Sequence, residues 1–354
     1  MKALAIVEKG RAEIREVPIP KVIDGFVLVK VKAVGINPTD WKGIETRTVP
    51  SGVQIGLDYA GVVEEVGNGV TNFKKGDRIA GAIFGLNELH PDWGAYAEYL
   101  IAKADVQTKI PDNVTDAQAA TLGVSLLTVA QGLYKVLKLP WPTTPAKEPF
   151  PIFIYAGSAA TGVYGIQYAK LSGLTVITTS SPHNFDYLKS LGADAVFDYK
   201  SPTVAADIKA LTGNKLKYAW DCTGDGGAIV ANALTDAEES HYATIMPVDK
   251  DLVHGINPKV DGPHAHLGYN TFGEAYKWFG NDGKWGSSLV TPDPEEHDNL
   301  ARFHQLTYDL LKSGAIKPIR TVENRGGPGL EGVLTGLKEL KAGKVSGEKL
   351  VYTL

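Results

Sequence analysis

The chain has 354 residues, enough for about two domains that each bury a core of their own. Apolar residues make up 44% and charged residues 21%, a globular composition that excludes a fibrous, coiled-coil or disordered chain. The net charge is −4 and no basic stripe with interleaved aromatic residues occurs, so we expect no nucleic-acid partner. No run approaches the ~20 apolar residues of a membrane span and the N-terminus lacks a signal-peptide pattern, so we expect a cytoplasmic protein without a membrane partner.

The first part of the chain, to about residue 122, has the pattern of an antiparallel β domain. Short β-rich runs such as Val27–Val34 and Tyr59–Val66 alternate with turn signals, including Gly67-Asn68-Gly69 and Lys75-Gly76-Asp77. This pattern predicts a small barrel-like domain. Near the end of the chain, a helix at about 295–313 and a closing strand at 349–353 are expected.

The middle of the chain has a different period. From about Ala117 apolar residues recur with helical spacing to near Lys138, and a connection with four prolines follows at residues 139–149. Strand-like and helix-like segments then alternate from Ile152 to Met246. Such alternation predicts a doubly wound parallel sheet with helices on both faces.

A glycine-containing turn follows the first of these strands. The strand Ile152–Tyr155 leads into Ala156-Gly157-Ser158-Ala159-Ala160-Thr161-Gly162-Val163-Tyr164-Gly165 and then an apolar helix, as a dinucleotide site requires. Ala160 stands where G-x-G-x-x-G has its first glycine, whereas Gly162 and Gly165 keep the spacing. The turn therefore predicts a pyrophosphate site at a helix N-terminus, and a tight connection without a ligand is the alternative.

The second strand of the alternation ends without the acidic residue typical of an NAD site. It closes in Thr178-Thr179-Ser180-Ser181-Pro182-His183-Asn184, whose hydroxyl and amide groups can donate to a 2′-phosphate that a carboxylate would repel. Asp186 is the rival candidate, but it reads better as an acid in the first turn of a helix. We therefore predict NADPH as the cofactor.

The only cysteine is Cys222, so an intrachain disulfide and a cysteine-rich zinc site are excluded. A lone cysteine after a predicted strand is typical of a small buried side chain. His264 and His266 lie in a loop-like stretch, and we expect them to face solvent rather than to bind a metal.

Five segments together resemble the medium-chain dehydrogenase/reductase superfamily over nearly the whole chain. They are the glycine turn, Gly35-Ile36-Asn37-Pro38-Thr39-Asp40, Gly56-Leu57-Asp58-Tyr59-Ala60-Gly61, Lys75-Gly76-Asp77-Arg78-Ile79 and Leu188-Lys189-Ser190-Leu191-Gly192-Ala193-Asp194. Three further segments resemble fungal trans-acting enoyl reductases, which serve polyketide synthases and synthase–peptide synthetase hybrids. These segments are Ser181-Pro182-His183-Asn184-Phe185-Asp186, Thr271-Phe272-Gly273-Glu274 and Ser346-Gly347-Glu348-Lys349-Leu350-Val351.

The resemblance implies a fold, a division into domains and the absence of a bound metal. It implies a GroES-like β-barrel domain at residues 1–123 and 296–354 and a Rossmann domain at residues 124–295. Zinc-dependent members place a cysteine where Asn37-Pro38 stand and a His-Glu pair where Leu57-Asp58 stand. Both ligand sets are missing, so we expect no metal, which disfavours alcohol oxidation. Reduction of an activated C=C bond needs no metal, because the adjacent thioester carbonyl holds the enolate charge.

The resemblance also implies site residues. The implied NADPH contacts are Thr39, Asp40, Trp41, Lys42, Ser158, Ala159, Ala160, Thr161, Ser181, Pro182, His183, Asn184, Tyr199, Ile245, Met246, Val345 and Ser346. The implied acyl pocket comprises Thr128, Tyr269, Asn270, Thr271, Phe272 and Gly273. Lys42 and Thr128 are the implied catalytic residues, and a solvated surface lysine is the alternative interpretation of Lys42.

The expected activity is NADPH-dependent reduction of the α,β-double bond of a polyketide acyl thioester bound to the acyl carrier domain of a synthase. One alternative is a free-standing quinone or small-enone reductase of the same superfamily. Another is a non-catalytic dinucleotide-binding protein. No carboxylate or histidine is indicated by a motif as the proton donor to Cα.

Overall fold

The computed structural model describes residues 1–266, 276–278 and 288–354. The strands are β1 (Lys2–Glu8), β2 (Arg11–Glu16), β3 (Phe26–Gly35), β4 (Asp58–Val66), β5 (Arg78–Ala82), β6 (Tyr99–Lys103), β7 (Thr108–Lys109), β8 (Pro151–Tyr155), β9 (Thr175–Ser180), β10 (Ala195–Asp198), β11 (Tyr218–Asp221), β12 (Ser240–Thr244), β13 (Val260–Ala265), β14 (Tyr276–Trp278), β15 (Ser288–Val290), β16 (Thr321–Glu323) and β17 (Lys349–Thr353).

The helices connect these strands. They are α1 (Pro38–Thr46), α2 (Asp116–Ala119), α3 (Gly123–Val129), α4 (Ala160–Leu171), α5 (Phe185–Ser190), α6 (Val204–Leu211), α7 (Gly227–Ala233), α8 (Lys250–Ile256), α9 (Pro294–Ser313) and α10 (Gly329–Lys341). Short 3₁₀ helices occur at Ala104–Val106 and Pro182–Asn184, and a π-helical segment spans Ala130–Val136. In the described part of the chain, no helix is both long and apolar enough to cross a membrane.

The chain forms two compact units. Unit 1 contains Met1–Val124 and Tyr269–Leu354, and unit 2 contains Ser125–Gly268. The functional division expected from the sequence, with domain bounds at residues 123 and 296, stays a prediction.

Unit 1 is built around the long strand β3, which pairs antiparallel with β4, β6 and β17. Its sheet runs in the order β16-β17-β3-β4-β5-β7, and β16 and β17 are parallel. Val27, Val29 and Val31 alternate with more exposed residues along β3 and lie in the core, as a strand with one buried face requires. The predicted β-rich domain is therefore present.

Unit 2 contains a six-stranded parallel sheet in the order β10-β9-β8-β11-β12-β13. Counted from β8, this is the order 3-2-1-4-5-6 of the Rossmann fold, so the predicted doubly wound sheet is confirmed. The apolar residues Ile152, Phe153 and Ile154 of β8 are fully buried at its centre. Edge strand β13 was missed by the sequence analysis, because its Gly262-Pro263 pair is atypical of strand interiors and is tolerated mainly at an edge.

Candidate functional site

The glycine turn of unit 2 is tied to the end of strand β9. The backbone N–H of Gly157 donates to the carbonyl of Thr179 at 2.9 Å, and that of Ala156 donates to the Thr179 hydroxyl at 3.1 Å. Ala156 adopts a left-handed conformation with φ of 62°, which is costly for a residue other than glycine. Ala159 then caps α4 in an extended conformation. The turn is therefore held in a strained shape that ends at a helix N-terminus.

The small residues of the turn are required by packing. A Cβ atom at Gly162 would lie 2.5 Å from the carbonyl oxygen of Ala156, and one at Gly165 would collide with the indole of Trp220. Ala160 is the first residue of α4, so its helical conformation needs no glycine. The N–H groups of the first turn of α4 have no partner within the helix and can bind an anion. Ser158, Ala159, Ala160 and Thr161 all lie at this helix end.

Further predicted cofactor residues lie beside the turn, at the ends of β9 and β10. The register pairs Phe197 with Thr179 and Asp198 with Ser180, so Ser181 and Tyr199 follow neighbouring parallel strands at one edge of the sheet. Pro182, His183 and Asn184 form the 3₁₀ turn between β9 and α5. Tyr199 is 38% exposed, and the buried hydroxyl of Ser180 has no hydrogen-bond partner. Asp186 is an exposed acid in the first turn of α5, as predicted.

Asp221, at the end of β11, holds the loop that follows this strand. Its carboxylate accepts hydrogen bonds of 2.8 Å from the backbone N–H groups of Thr223, Gly224 and Gly226, and one of 3.0 Å from the Tyr242 hydroxyl. The sequence analysis missed this residue. A carboxylate at the end of a buried strand, directly before a Gly-rich loop, is the signal that could have found it.

Ile245 and Met246 follow β12 at the same carboxyl edge. The N–H of Ile245 donates to the carbonyl of Asp221 at 3.1 Å, and the Thr244 hydroxyl donates to the carbonyl of Met246 at 2.7 Å. A Cβ atom at Gly224 would lie 2.6 Å from Cβ of Met246. The loop after β11 therefore packs directly on Met246.

Cys222 is buried directly after β11, which confirms its interpretation as a small buried side chain. Burial raises the pKa of its thiol well above the usual range, although a hydrogen bond with the Thr161 side chain opposes the shift. The thiol of Cys222 therefore stays protonated.

In unit 1, the predicted cofactor residues Thr39, Asp40, Trp41 and Lys42 form the first half of α1. The Asp40 side chain is fully buried and accepts hydrogen bonds of 2.7 Å from the Tyr96 hydroxyl and the Asn37 backbone N–H. Burial raises the pKa of Asp40 to about 7, against the effect of these two hydrogen bonds. The carboxyl therefore titrates near neutrality inside unit 1, whereas Lys42 is exposed on α1.

Two lysine ammonium groups lie near the Trp41 ring. The ammonium of Lys42 lies 5.8 Å from the centre of the ring, and that of Lys341 on α10 lies 6.0 Å from it. Lys341 also donates to Glu45 at 2.7 Å, so α10 is fixed against α1. Val345, half-buried against the core of unit 1, and exposed Ser346 follow α10. These contacts stabilise α1 and the segment that precedes β17.

A buried polar cluster lies under the start of α1. Lys349, 3% exposed, is paired with the fully buried Asp58, and it also donates to the Asn37 side-chain oxygen at 2.8 Å. The other oxygen of Asp58 accepts from the Val124 N–H at 2.7 Å, at the start of α3. The sequence analysis did not identify this cluster. A lysine that begins the apolar strand β17 is the signal that could have found it.

The remaining predicted residues are placed as follows. Thr128 is half-buried in α3 of unit 2. The predicted acyl-pocket residues Tyr269, Asn270, Thr271, Phe272 and Gly273 lie outside the described residues. Within the described ranges, no group of three or more His, Cys, Asp or Glu side chains could hold a metal ion. His264 is exposed, as expected, and its ring lies 2.8 Å from the Asp261 carboxylate.

Comparison with known proteins places the chain in a family. Residues 24–112 match the alcohol dehydrogenase GroES-like domain and residues 160–236 match the zinc-binding dehydrogenase family. The trans-enoyl reductase ACTTS2 of Alternaria alternata is 38% identical over 357 residues, which cover 100% of this chain and 98% of that protein. The chain belongs to the trans-enoyl reductase family. Its resemblance to the medium-chain dehydrogenases/reductases and its GroES-like and Rossmann fold class are thereby confirmed.

Other relatives agree with this family assignment. The trans-enoyl reductase TOXD of Cochliobolus carbonum is 50% identical over 232 residues, which are 65% of this chain and 78% of that protein. The quinone oxidoreductase of Escherichia coli, solved in complex with NADPH, has a TM-score of 0.72 at 20% identity and covers 99% of this chain and 100% of its own. At that identity the structural likeness establishes the fold alone. The relatives named trans-enoyl reductase show that the chain is an oxidoreductase.

Proposed function

We propose that this trans-enoyl reductase uses NADPH to reduce the α,β-double bond of a polyketide acyl thioester carried by the acyl carrier domain of a synthase. The observation that carries the proposal is its full-length similarity to proteins named trans-enoyl reductase. A GroES-like domain at 1–123 and 296–354 would bind substrate, and a Rossmann domain at 124–295 would bind the cofactor. The zinc-independent quinone or enone reductase is the second candidate, favoured by the fold it shares with such an enzyme.

The carboxyl edge of the unit 2 sheet fits a dinucleotide phosphate. The tight packing at Gly162 and the free N–H groups of α4 suit a pyrophosphate, and the unpartnered Ser180 hydroxyl lies where the second strand ends. Ser158 to Thr161 would hold the pyrophosphate, and Ser181 to Asn184 with Tyr199 the adenosine ribose and its phosphate. When bound, NADPH supplies the hydride. Ile245, Met246, Val345 and Ser346 are proposed on the nicotinamide side, together with Thr39 to Lys42.

Cofactor choice is tested at Ser181. Ser181→Asp introduces a carboxylate that repels a 2′-phosphate, so we expect NADPH to bind more weakly by about 1–3 kcal/mol while NADH is unaffected. Fluorescence titration with both cofactors measures the change. Equal binding of NADH and NADPH by the wild-type protein would refute the preference.

Two side chains are proposed to act on the substrate. Lys42, exposed at α1, would stabilise the enolate or bind the ribose, and Thr128, with Tyr269 to Gly273, would line the acyl pocket. Solvent is the proposed proton source for Cα. Lys42→Met removes the ammonium group and keeps an unbranched apolar side chain. We therefore expect a lower kcat/KM for the thioester.

The proposed partner contributes a phosphopantetheine arm. Carrier domains are usually acidic, whereas this chain has a net charge of −4, so docking requires a local basic patch and weakens with salt. Binding of the arm away from the reacting carbon helps to orient that carbon. We therefore expect a much higher kcat/KM for the carrier-bound or pantetheine-linked thioester than for the same enone without the arm.

The deciding experiment follows NADPH oxidation with a matched pair of substrates, an α,β-unsaturated pantetheine thioester and a simple quinone. Faster turnover of the thioester is expected. Faster turnover of the quinone would favour the second candidate, and cofactor binding without turnover of either would indicate a non-catalytic protein.

The proposed reaction uses no metal. Asn37 and Leu57-Asp58 stand at the positions of the zinc ligands, and Asp58 is already paired with Lys349. Metal analysis of the purified protein should find no stoichiometric zinc, and a chelator should leave turnover unchanged. One tightly bound zinc per chain would contradict this proposal.

A further inference from the structure

A buried amide in unit 1 has a hydrogen-bond donor that the protein does not use. Asn37 is 4% exposed, and its side-chain nitrogen Nδ2 has no hydrogen-bond partner. Nearly all buried polar groups in folded proteins are paired, because an unpaired donor is destabilising. Such an exception directly before α1, where four cofactor contacts are proposed, points to a ligand that supplies the missing acceptor.

Lys349 determines which way this amide faces. An ammonium group has only donors, so it can bond to the oxygen of the amide and not to its nitrogen. Its Nζ donates to Oδ1 of Asn37 at 2.8 Å, to the Thr121 carbonyl at 3.3 Å and to Asp58. Oδ1 therefore faces the lysine and Nδ2 faces away from it. The positive charge also polarises the amide, which strengthens donation by its N–H groups.

The backbone of Asn37 is held as well. Its N–H donates to the Asp40 carboxyl at 2.7 Å, and the same carboxyl oxygen accepts from the Tyr96 hydroxyl. The titratable groups around the amide are therefore Asp40, Asp58, Lys349 and Tyr96. The Tyr96 hydroxyl is already used as a donor, and Lys349 is surrounded by three acceptors. Within this cluster, two side-chain atoms lack a hydrogen-bond partner, Nδ2 of Asn37 and Oδ1 of Asp40. Of these two, Nδ2 is a donor whatever the protonation state of Asp40.

We propose that Nδ2 of Asn37 donates a hydrogen bond to the thioester carbonyl oxygen of the substrate, and that Lys349 is the positioning residue that aims it. This inference rests on the proposed function. When hydride adds to the β-carbon, the electrons of the C=C bond move to the thioester oxygen as an enolate, and a proton then bonds to Cα. A donor that is oriented before the reaction stabilises this oxygen most, because it needs no rearrangement.

The variant Asn37→Asp tests the donor. It keeps an oxygen for Lys349 and removes the N–H groups, so we expect kcat for the pantetheine thioester to fall by about 100-fold or more while the Kd for NADPH stays unchanged. We also expect activity to recover as the pH falls, because the introduced carboxyl, which faces the Lys349 ammonium as well as Asp40 and Asp58, becomes an O–H donor when protonated. Asn113→Asp is the matched control, since Nδ2 of Asn113 already donates to the Leu311 carbonyl at 2.9 Å.

The carboxamide oxygen of the nicotinamide is the other acceptor with the same chemistry. If Asn37→Asp weakens NADPH binding in a fluorescence titration and leaves kcat intact, the donor serves the cofactor and the assignment to the substrate is overturned. Unchanged kcat and unchanged NADPH binding would also overturn it. If the wild-type protein reduces quinones but not thioesters, the proposed function fails; the variant is then assayed with the quinone, where a similar loss supports the donor and no loss refutes it.

The positioning role of Lys349 needs a separate readout. The double variant Lys349→Met, Asp58→Asn leaves no unpaired buried charge and frees the amide of Asn37 to rotate. We expect kcat to fall by at least 10-fold and NADPH affinity to be unchanged, with a melting temperature closer to that of the wild-type protein than to that of either single variant. A loss of melting temperature without a loss of kcat would show that Lys349 is only structural.

Discussion

The glycine turn of unit 2 and the buried polar cluster of unit 1 are built in opposite ways. The turn is one continuous segment, and its contacts with Thr179 follow from the pairing of neighbouring parallel strands. The cluster joins Asn37, Asp58, Thr121 and Lys349, and its longest link spans 312 residues. A local motif can be recognised from the sequence, whereas a cluster of distant residues depends on the completed fold.

The two units also differ in the burial of one Lys–Asp pair chosen from each. In unit 1, Lys349 and Asp58 are 3% and 0% exposed, whereas in unit 2 the side chains of Lys170 and Asp194 are 44% and 38% exposed. Water screens the charges of the exposed pair, Lys170 and Asp194. If one partner of the buried pair is removed, no water can solvate the charge that remains. The same chemistry should therefore have different energetic consequences in the two places.

The largest expected effect is on stability. Lys349→Met leaves the Asp58 charge buried and unpaired, so we expect the free energy of unfolding to fall by about 3–5 kcal/mol. Lys170→Met, the matched control in unit 2, should cost ~1 kcal/mol or less. Urea unfolding measures both. Adding Asp58→Asn to Lys349→Met should recover most of the loss, and a single variant no worse than Lys170→Met would contradict the difference between the pairs.

The next effect is a pH dependence in unit 1. Burial raises the pKa of Asp40 from 3.8 to about 7, so between these values the folded protein holds a proton that the unfolded chain has released. The free energy of unfolding contributed by this group therefore falls as the pH rises from about 4 to about 7, by up to ~4 kcal/mol. Asp40→Asn should remove this slope in urea unfolding, whereas Asp186→Asn, at an exposed position of unit 2, should leave it unchanged. Parallel curves for wild type and Asp40→Asn would refute a buried titrating carboxyl.

The smallest expected effect concerns the glycine turn. A Cβ atom at Gly162 would lie 2.5 Å from the Ala156 carbonyl, so Gly162→Ala should cost about 1–3 kcal/mol and weaken NADPH binding as the turn shifts. Gly255→Ala in α8 is the control, because no atom lies within 4 Å of its Cβ position and alanine favours a helix. Calorimetry and NADPH titration measure both variants. Normal NADPH affinity in Gly162→Ala would show that the close packing of the turn is not needed for binding.

The sequence by itself determined the class of the fold and the place of the glycine turn. Alternating periodicity between Ile152 and Met246 predicted the parallel sheet, and the segment Ala156–Gly165 predicted its dinucleotide edge. Both are local patterns: they record which residues face a core and where a strand turns into a helix. The edge strand β13 was the exception, because Gly262-Pro263 hides a strand that only its pairing with β12 reveals.

Only the tertiary structure decided the polar interior. The run Asn37-Pro38-Thr39-Asp40 identified α1 as a candidate cofactor element, but it did not show that Asp40 is buried against Tyr96 or that Lys349 holds the amide of Asn37. In β17 the lysine is simply one charged residue at the start of an apolar strand. Burial, pairing and the resulting pKa arise from residues that meet across the sheet, and folding must bring those residues together before their charges can interact.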